Sequence, residues 1–417
     1  MVTAISTPAV TSIDAPVAPS AVKASRLASV DILRGLVMVL MALDHTRDFM
    51  TYQRSSPEDV LHASAALFFT RFITHYCAPV FCFLAGTGAF LSTSRGKSRR
   101  ELSGFLVSRG LWLVLLELTV VDFAWGFVPW AHAGVIWVLG WSMVVMALIV
   151  WLPVRWIAAL GLGMIFTHNV LDQITPASFG KFYWLWMLLH SPGERIPITD
   201  NFAFSVRYVL IPWVGVMAAG FAFGKLLLRA DRRKWILTIG VSATVLFFVV
   251  RGINLYGNGI AGLPARYVFS SGAWHVQPTV TQTVISFFNV LKYPPSLDYL
   301  LVTLGPALIV LGLLDGSSAQ RGLSRILLIY GRVPLFYYVI HIYLLNVLAR
   351  LAALAFHQPI FHGTIIADVI QRPAGYGHGL PLIYAMWILT VAMLYLPCRW
   401  FMELRSRHRD WVWLSYF

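Results

Sequence analysis

The chain carries little charge: only 12% of its 417 residues are Asp, Glu, Lys or Arg. That is about half the share of an ordinary soluble domain, which argues against a string of water-soluble domains. Cysteine is scarcer still. Cys77, Cys82 and Cys398 are the only three, all in or beside apolar stretches, which excludes a disulfide framework or a cysteine-rich metal site. Residues 1–24 contain a single basic residue, Lys23, and no compact apolar centre, so they lack the make-up of a secretory signal. No dinucleotide or Walker phosphate-binding fingerprint occurs, and no internal repeat is evident.

Apolar residues fill that space. They make up 58% of the chain, the mean hydropathy is +0.71, and 16 Trp and 16 Tyr suit membrane interfaces. Apolar blocks of about 18 residues or more recur to the C-terminus, each long enough to cross a bilayer. The pattern predicts an all-α, polytopic integral membrane helix bundle with about ten transmembrane helices. These are expected near 32–50, 66–92, 105–127, 134–152, 156–171, 203–224, 235–253, 298–314, 326–355 and 380–400. The second and ninth exceed about 20 residues and should tilt, bend or project. The 274–293 stretch is expected to hold a short interfacial helix. Residues 1–24 read as a disordered cytoplasmic tail, 25–403 as one membrane domain and 404–417 as a cytoplasmic C-terminal tail.

The net charge of +14 does not indicate a nucleic-acid partner, because the basic residues sit in short clusters between apolar blocks. With both termini inside, nineteen Lys and Arg fall on the cytoplasmic side and six outside. The cytoplasmic set includes Arg26, Arg321 and Arg409, and the outer set is Arg54, Lys181, Arg195, Arg266, Lys292 and Arg372. The positive-inside rule therefore predicts N-in and C-in, with the lipid bilayer as the principal partner and homo-oligomerisation left open.

Ionisable groups at membrane depth cost roughly 2.5–3.5 kcal/mol each on insertion scales, so they need partners or a function. The first span carries Asp31, Arg34, Asp44, His45, Arg47 and Asp48; the second Arg71 and His75; the third Glu117 and Asp122; the ninth Arg332 and His341. At about 1.5 Å per residue, His45 lies roughly 20 Å from the inner end of its span, and His75 about 13 Å from the outer end of the next. The two could share a depth. Against function stand plainer roles: Arg47 and Asp48 as outer-end anchors, Glu117 and Asp122 as structural partners for Arg71, Arg207 or Arg251, and Gly86 and Gly88 as sites of close helix packing. A metal site from His45, His75 and His341 has no short His/carboxylate spacing to support it, and no metal is expected.

Several segments resemble a known family. They are Arg26-Leu27-Ala28-Ser29-Val30-Asp31-Ile32-Leu33-Arg34-Gly35 with Leu43-Asp44-His45-Thr46-Arg47-Asp48, Phe69 to Phe81 around His75 and Pro79, Tyr293-Pro294-Pro295-Ser296-Leu297, Leu304-Gly305-Pro306-Ala307, and Gly331-Arg332-Val333-Pro334-Leu335-Phe336-Tyr337-Tyr338 followed by His341. Together they are similar to a bacterial membrane family grouped with the heparan-alpha-glucosaminide N-acetyltransferase catalytic domain. The resemblance implies transfer of an acyl group from cytoplasmic acetyl-CoA to an acceptor outside, a glycan or another cell-envelope molecule. By spacing, His45 falls where the characterised relative has an asparagine, and His75 where it has an acidic residue. The relative's catalytic histidine lies in its first extracytoplasmic loop, where His62 is the one histidine here; reaching it requires a gap. The heparan substrate and lysosomal setting are not carried over.

The mechanism expected on this reading has His45, tuned by Asp44, as general base, with His75 or His341 hydrogen-bonding the thioester oxygen or orienting the acceptor. Arg34 and Arg332 would hold the CoA phosphates. A ping-pong route through an acetylated histidine is the other enzymatic course. A proton-coupled membrane transporter using Asp44, His45, Glu117 and Asp122 is the alternative class, and a non-catalytic scaffold is a third.

Overall fold

The computed structural model describes residues 27–53, 56–127, 131–191, 195–199, 202–258, 272–316, 322–360, 365–366, 369–370, 373–408 and 410–417. The expected tail over 1–24, with Lys23, lies outside the described residues, as do Arg26, Arg54, Arg266, Arg321, Arg372 and Arg409 from the orientation argument.

A helix lies within every expected span. The first is α1, Ala28–Met50. The second is two helices, α2 (Ala65–Thr74) and α3 (Cys77–Thr93), breaking at His75 and Tyr76. Pro79 falls in the first turn of α3, where its missing N–H costs no intrahelical bond. Next come α4 (Arg99–Leu116), a wide turn over Glu117–Val121, and α5 (Asp122–Gly126). Ser98 and Glu101 start α4 with a reciprocal cap. Then follow α6 (Val135–Ile149), α7 (Val154–Thr167), the short α8 (Tyr183–Leu189), α9 (Leu210–Leu226) and α10 (Arg232–Ile253). The expected interfacial helix is α11, Val280–Phe288. After α12 (Leu297–Leu314), the ninth span divides into α13 (Gly322–Arg332) and α14 (Pro334–Ala355). Pro334 lacks an N–H and disfavours a helical Val333, which explains the break. The last helix, α15, runs Leu380–Arg407, beyond the expected end near residue 400.

Seven of these helical stretches are long and apolar enough to cross a membrane; α6 and α9 are apolar but shorter. The faces of α4, α10 and α15 expose Leu115, Phe248, Ile388, Leu396 and Trp400, a surface suited to lipid and costly in water. The protein is an integral membrane helix bundle.

Small strands join the loops at one end. The strand β1 (His132–Ala133) pairs in parallel with β3 (Phe202–Val206), His132 opposite Ser205, and β3 pairs antiparallel with β2 (Arg195–Thr199). The sixth span was expected from residue 203, but this strand occupies its start and the helix begins at Leu210. In a further antiparallel pair, β4 (Ile365–Ile366) lies beside β5 (Val369–Ile370).

The charged helix α1 is the central one, packed on α2, α3 and α12 to α15. It approaches α13 backbone to backbone: a Cβ on Gly35 would lie 1.9 Å from the Leu327 carbonyl oxygen, and one on Gly331 1.8 Å from that of Asp31. Gly86 does the same against Met217 of α9, whereas Gly88 has nothing within 4 Å, so the expected packing role holds for Gly86 alone. The residues after α15 fold back on α4, where the Tyr416 hydroxyl meets Ser108 Oγ at 2.9 Å.

Candidate functional site

The C-terminal end of α1 supplies two clusters because successive side chains point about 100° apart around a helix. Asp44 and Arg47 face α2. Arg71 Nη1 donates to both Asp44 oxygens, at 2.9 and 2.7 Å. Arg47 Nη2 donates to Asp44 Oδ1 at 2.8 Å and to Asp48 Oδ1 at 2.7 Å. Arg71 Nε continues to Glu58 Oε1 at 3.0 Å, and His75 Nε2 reaches the same oxygen at 3.1 Å. An unbroken chain therefore runs Asp48–Arg47–Asp44–Arg71–Glu58–His75. Asn289 Nδ2 donates to the Glu58 carbonyl, and the Tyr299 hydroxyl to that of His75, which fixes the 56–64 loop over α11 and α12. Buried Lys292 lies within electrostatic reach of Asp44 and Glu58, offsetting the third carboxylate of the chain. For Glu58, which is in the loop, burial acts to raise the carboxyl pKa. The Arg71 charge and the His75 hydrogen bond override it and hold the group well below the usual glutamate range.

His45 turns the other way, toward α14. Its Nδ1 lies 2.7 Å from His341 Nε2, and the two rings stack with centroids 4.9 Å apart. His341 Nδ1 is 3.1 Å from the Tyr337 carbonyl oxygen. That oxygen can only accept, so for neutral rings the His341 proton sits on Nδ1, its Nε2 accepts, and His45 Nδ1 donates. The lone pair left over is on His45 Nε2. Trp125 lies edge-on to His45 at 5.0 Å and Tyr338 at 6.2 Å. The pair is a hydrogen-bonded relay ending in one basic nitrogen within an aromatic wall.

This geometry revises the expected pairing. Asp44 bonds Arg71 and Arg47, and the partner orienting His45 is His341. His75 is held by Glu58, apart from the imidazole pair. Glu117 and Asp122 do not pair with Arg71 or Arg251. Glu117 Oε2 accepts from the N–H groups of Ile136 and Trp137 at the start of α6, at 2.9 and 3.2 Å, a helix end that favours an anion. Asp122 Oδ2 accepts from the His132 N–H and its Oδ1 contacts the His132 ring. Arg251 instead bonds Asp298 and the carbonyls of Phe287, Ser286 and Asn289.

Arg34 and Arg332 meet at the far end of α1. Arg34 Nη1 donates to Asp31 Oδ1 and the Gly331 carbonyl, both at 3.1 Å, and Arg332 Nε lies 3.9 Å from Asp31 Oδ2 with its side chain 39% exposed. Along the helix, Arg34 and His45 are about 16–17 Å apart. Exposed His62 bonds Asp59 at 2.8 Å in the loop beyond α1.

The family model described as heparan-alpha-glucosaminide N-acetyltransferase, catalytic, matches residues 26–256, more than half of the chain. The chain belongs to that family. Membership in the heparan-alpha-glucosaminide N-acetyltransferase catalytic family gives it the general character of a transmembrane acetyltransferase, in a family that uses acetyl-CoA. A search of curated proteins found no match. The matched region includes Arg34, Asp44, His45, Glu58, Arg71 and His75, and ends before Lys292, Arg332 and His341.

As site residues, Glu58, Lys292, Trp125 and His132 were passed over by sequence reasoning, which counted Lys292 only toward orientation. Lys292 directly precedes the Tyr293-Pro294-Pro295-Ser296 segment, and that adjacency was a usable signal. Glu58 sits in a loop without periodicity, and nothing in the sequence shows that Arg71 reaches back to it.

Proposed function

We propose that the protein moves an acetyl group from cytoplasmic acetyl-CoA to an amine or hydroxyl acceptor on the outer side of a bacterial inner membrane, with both termini inside. The observation that carries this reading is the His45–His341 hydrogen bond, which joins residues 296 positions apart and leaves His45 Nε2 as the base. His45 Nε2 takes the acceptor's proton as the acceptor attacks the thioester carbonyl. The carbon–sulfur bond then breaks, and the departing CoA thiolate takes the proton back from the imidazolium. His341 orients the ring and shares the positive charge. Asp44 contributes its field from one residue away, and His75 with Glu58 positions the loop above. Arg34 and Arg332 pair with CoA phosphates, with the extended pantetheine arm running along α1 toward His45.

Acetyl-CoA binding and hydrolysis by the purified protein in detergent test the reading. Hydrolysis should fall by about 10²-fold or more in His45→Ala, within the range for loss of a positioned base. Arg34→Ala should weaken binding with the slow hydrolysis of bound acetyl-CoA retained. Well-folded protein that binds no acetyl-CoA overturns the reading, and solute uptake by proteoliposomes without any acyl-CoA would then establish the transporter class.

A further inference from the structure

Away from this site, the end of α7 and the loop after it gather two histidines and an aspartate. His168 and Asp172 lie on the tight turn His168–Gln173, and His190 follows α8. One ligand atom from each lies within 4.8 Å of the other two. His190 Nε2 is 2.8 Å from Asp172 Oδ1, with the two side chains 1% and 5% exposed. His168 is 1% exposed, and neither of its ring nitrogens has a hydrogen-bond partner among the described residues; nor does Nδ1 of His190. A buried imidazole with two unsatisfied nitrogens is costly unless something completes it.

The surroundings favour a cation. Asn169 Nδ2 donates to Asp172 Oδ2 at 2.8 Å, while its Oδ1 accepts from the Leu297 N–H at 2.9 Å. The carboxylate is thereby aimed by an amide tied to the start of α12, the second partner that metal-binding carboxylates usually have. Trp186 closes one side, its ring 5.6 Å from that of His190. Among the described residues no Lys or Arg pairs with the carboxylate, whose partners are the Asn169 amide and the His190 ring. Two imidazoles and one carboxylate form a donor set for a divalent first-row transition ion, with a position left for water.

We propose that His168, Asp172 and His190 bind one such ion, Zn²⁺ being the probe of choice, and that it clamps the 172–191 loop to the end of α7. An ion would replace the proton between His190 and Asp172. Two ligands each about 2.0–2.1 Å from a tetrahedral zinc stand about 3.3 Å apart, so the present 2.8 Å must widen by only a few tenths of an ångström. The clamp is independent of the acyl-transfer reading and uses none of its residues.

The test uses full-length protein with a non-histidine affinity tag, purified in detergent, stripped with chelator and reloaded with Zn²⁺ or Co²⁺. Elemental analysis should find about one tightly held ion per chain, and Co²⁺ should give the visible absorption of a four-coordinate N/O site. Zn²⁺ should also raise the melting temperature and slow proteolysis within 172–191. His168→Gln and His190→Gln should lower affinity by roughly tenfold or more, as should Asp172→Asn, which keeps the size and the Asn169 contact. Wild type that takes up no ion and gains no thermal stability overturns the proposal. So does uptake left unchanged in folded variants, which would place the ion elsewhere, for example at Glu117, Asp122 and His132. Should a variant fail to fold, the wild-type comparison of stripped and reloaded protein still decides.

Discussion

Replacing Arg71 by Leu removes the cation shared by two carboxylates. Asp44 and Arg71 have side-chain exposures of 11% and 10%, and their contact is doubly hydrogen-bonded at 2.7 and 2.9 Å. Losing one partner of a buried pair costs about 3–5 kcal/mol, mostly because the surviving charge stays dehydrated. Asp44→Asn should be milder, about 1.5–3 kcal/mol, the range for a hydrogen bond to a charged group, because Arg71 retains Glu58 and Arg47 retains Asp48. In the double variant no Asp44 charge is stranded, so its loss should fall short of the sum of the two single losses by about 1–3 kcal/mol, the coupling expected for residues in one network. Equilibrium unfolding in mixed detergent micelles measures all three. Strictly additive losses would refute the argument, since they would mean that Asp44 and Arg71 do not feel each other.

Acid stability tests Glu58. Its carboxyl pKa is lower in the folded protein than its ordinary 4.5, so its contribution is complete above about pH 4.5 and is lost as pH falls toward the folded value. Glu58→Gln should be less stable than wild type at neutral pH, and that gap should narrow in melts taken at successively lower pH below 4.5; a constant gap would contradict this. His341→Leu should lower acetyl-CoA turnover by roughly 10- to 100-fold while leaving binding intact, because the His45 ring loses its orienting acceptor; steady-state kinetics beside direct binding separate the two. Gly331→Val should cost at least about 1–3 kcal/mol by forcing α1 and α13 apart, whereas Gly88→Ala, in open space, should stay within about 0.5 kcal/mol. Melting temperatures of the pair check it.

The helices were legible because lipid demands long apolar runs, and all ten expected spans hold a helix. Their breaks were less so. Pro334 marks the α13–α14 boundary directly, whereas the break at His75 and Tyr76 is signalled only by Pro79 further on, without whose N–H a helix continued through 75 and 76 would lack its bond to the His75 carbonyl. The strand at Phe202–Val206 was hidden because its apolar residues continue into α9 and read as one span. At the site, His45 and His341 were identifiable as ionisable groups at depth, yet their contact was not, since periodicity does not fix which face of α1 meets which face of α14. That Asp44 spends its hydrogen bonds on Arg71 and Arg47 and none on the His45 ring was hidden for the same reason: adjacent residues on a helix diverge, and Asp44 answers Arg71 from another helix. His132 lies between two apolar alanines, and only the return of the chain after α5 brings it to Asp122.

The bond between His45 and His341 spans most of the polypeptide, and this bears on how the protein is made. During synthesis the first helix enters the membrane hundreds of residues before Pro334–Ala355 leaves the ribosome. Throughout that interval the region carrying the family match, 26–256, has an imidazole with no partner to set its tautomer. On the proposed reading, a nascent chain stalled before residue 334 would be recognisable as a family member and would lack the acceptor that orients His45. On that reading, competence comes only once Pro334–Ala355 has joined α1.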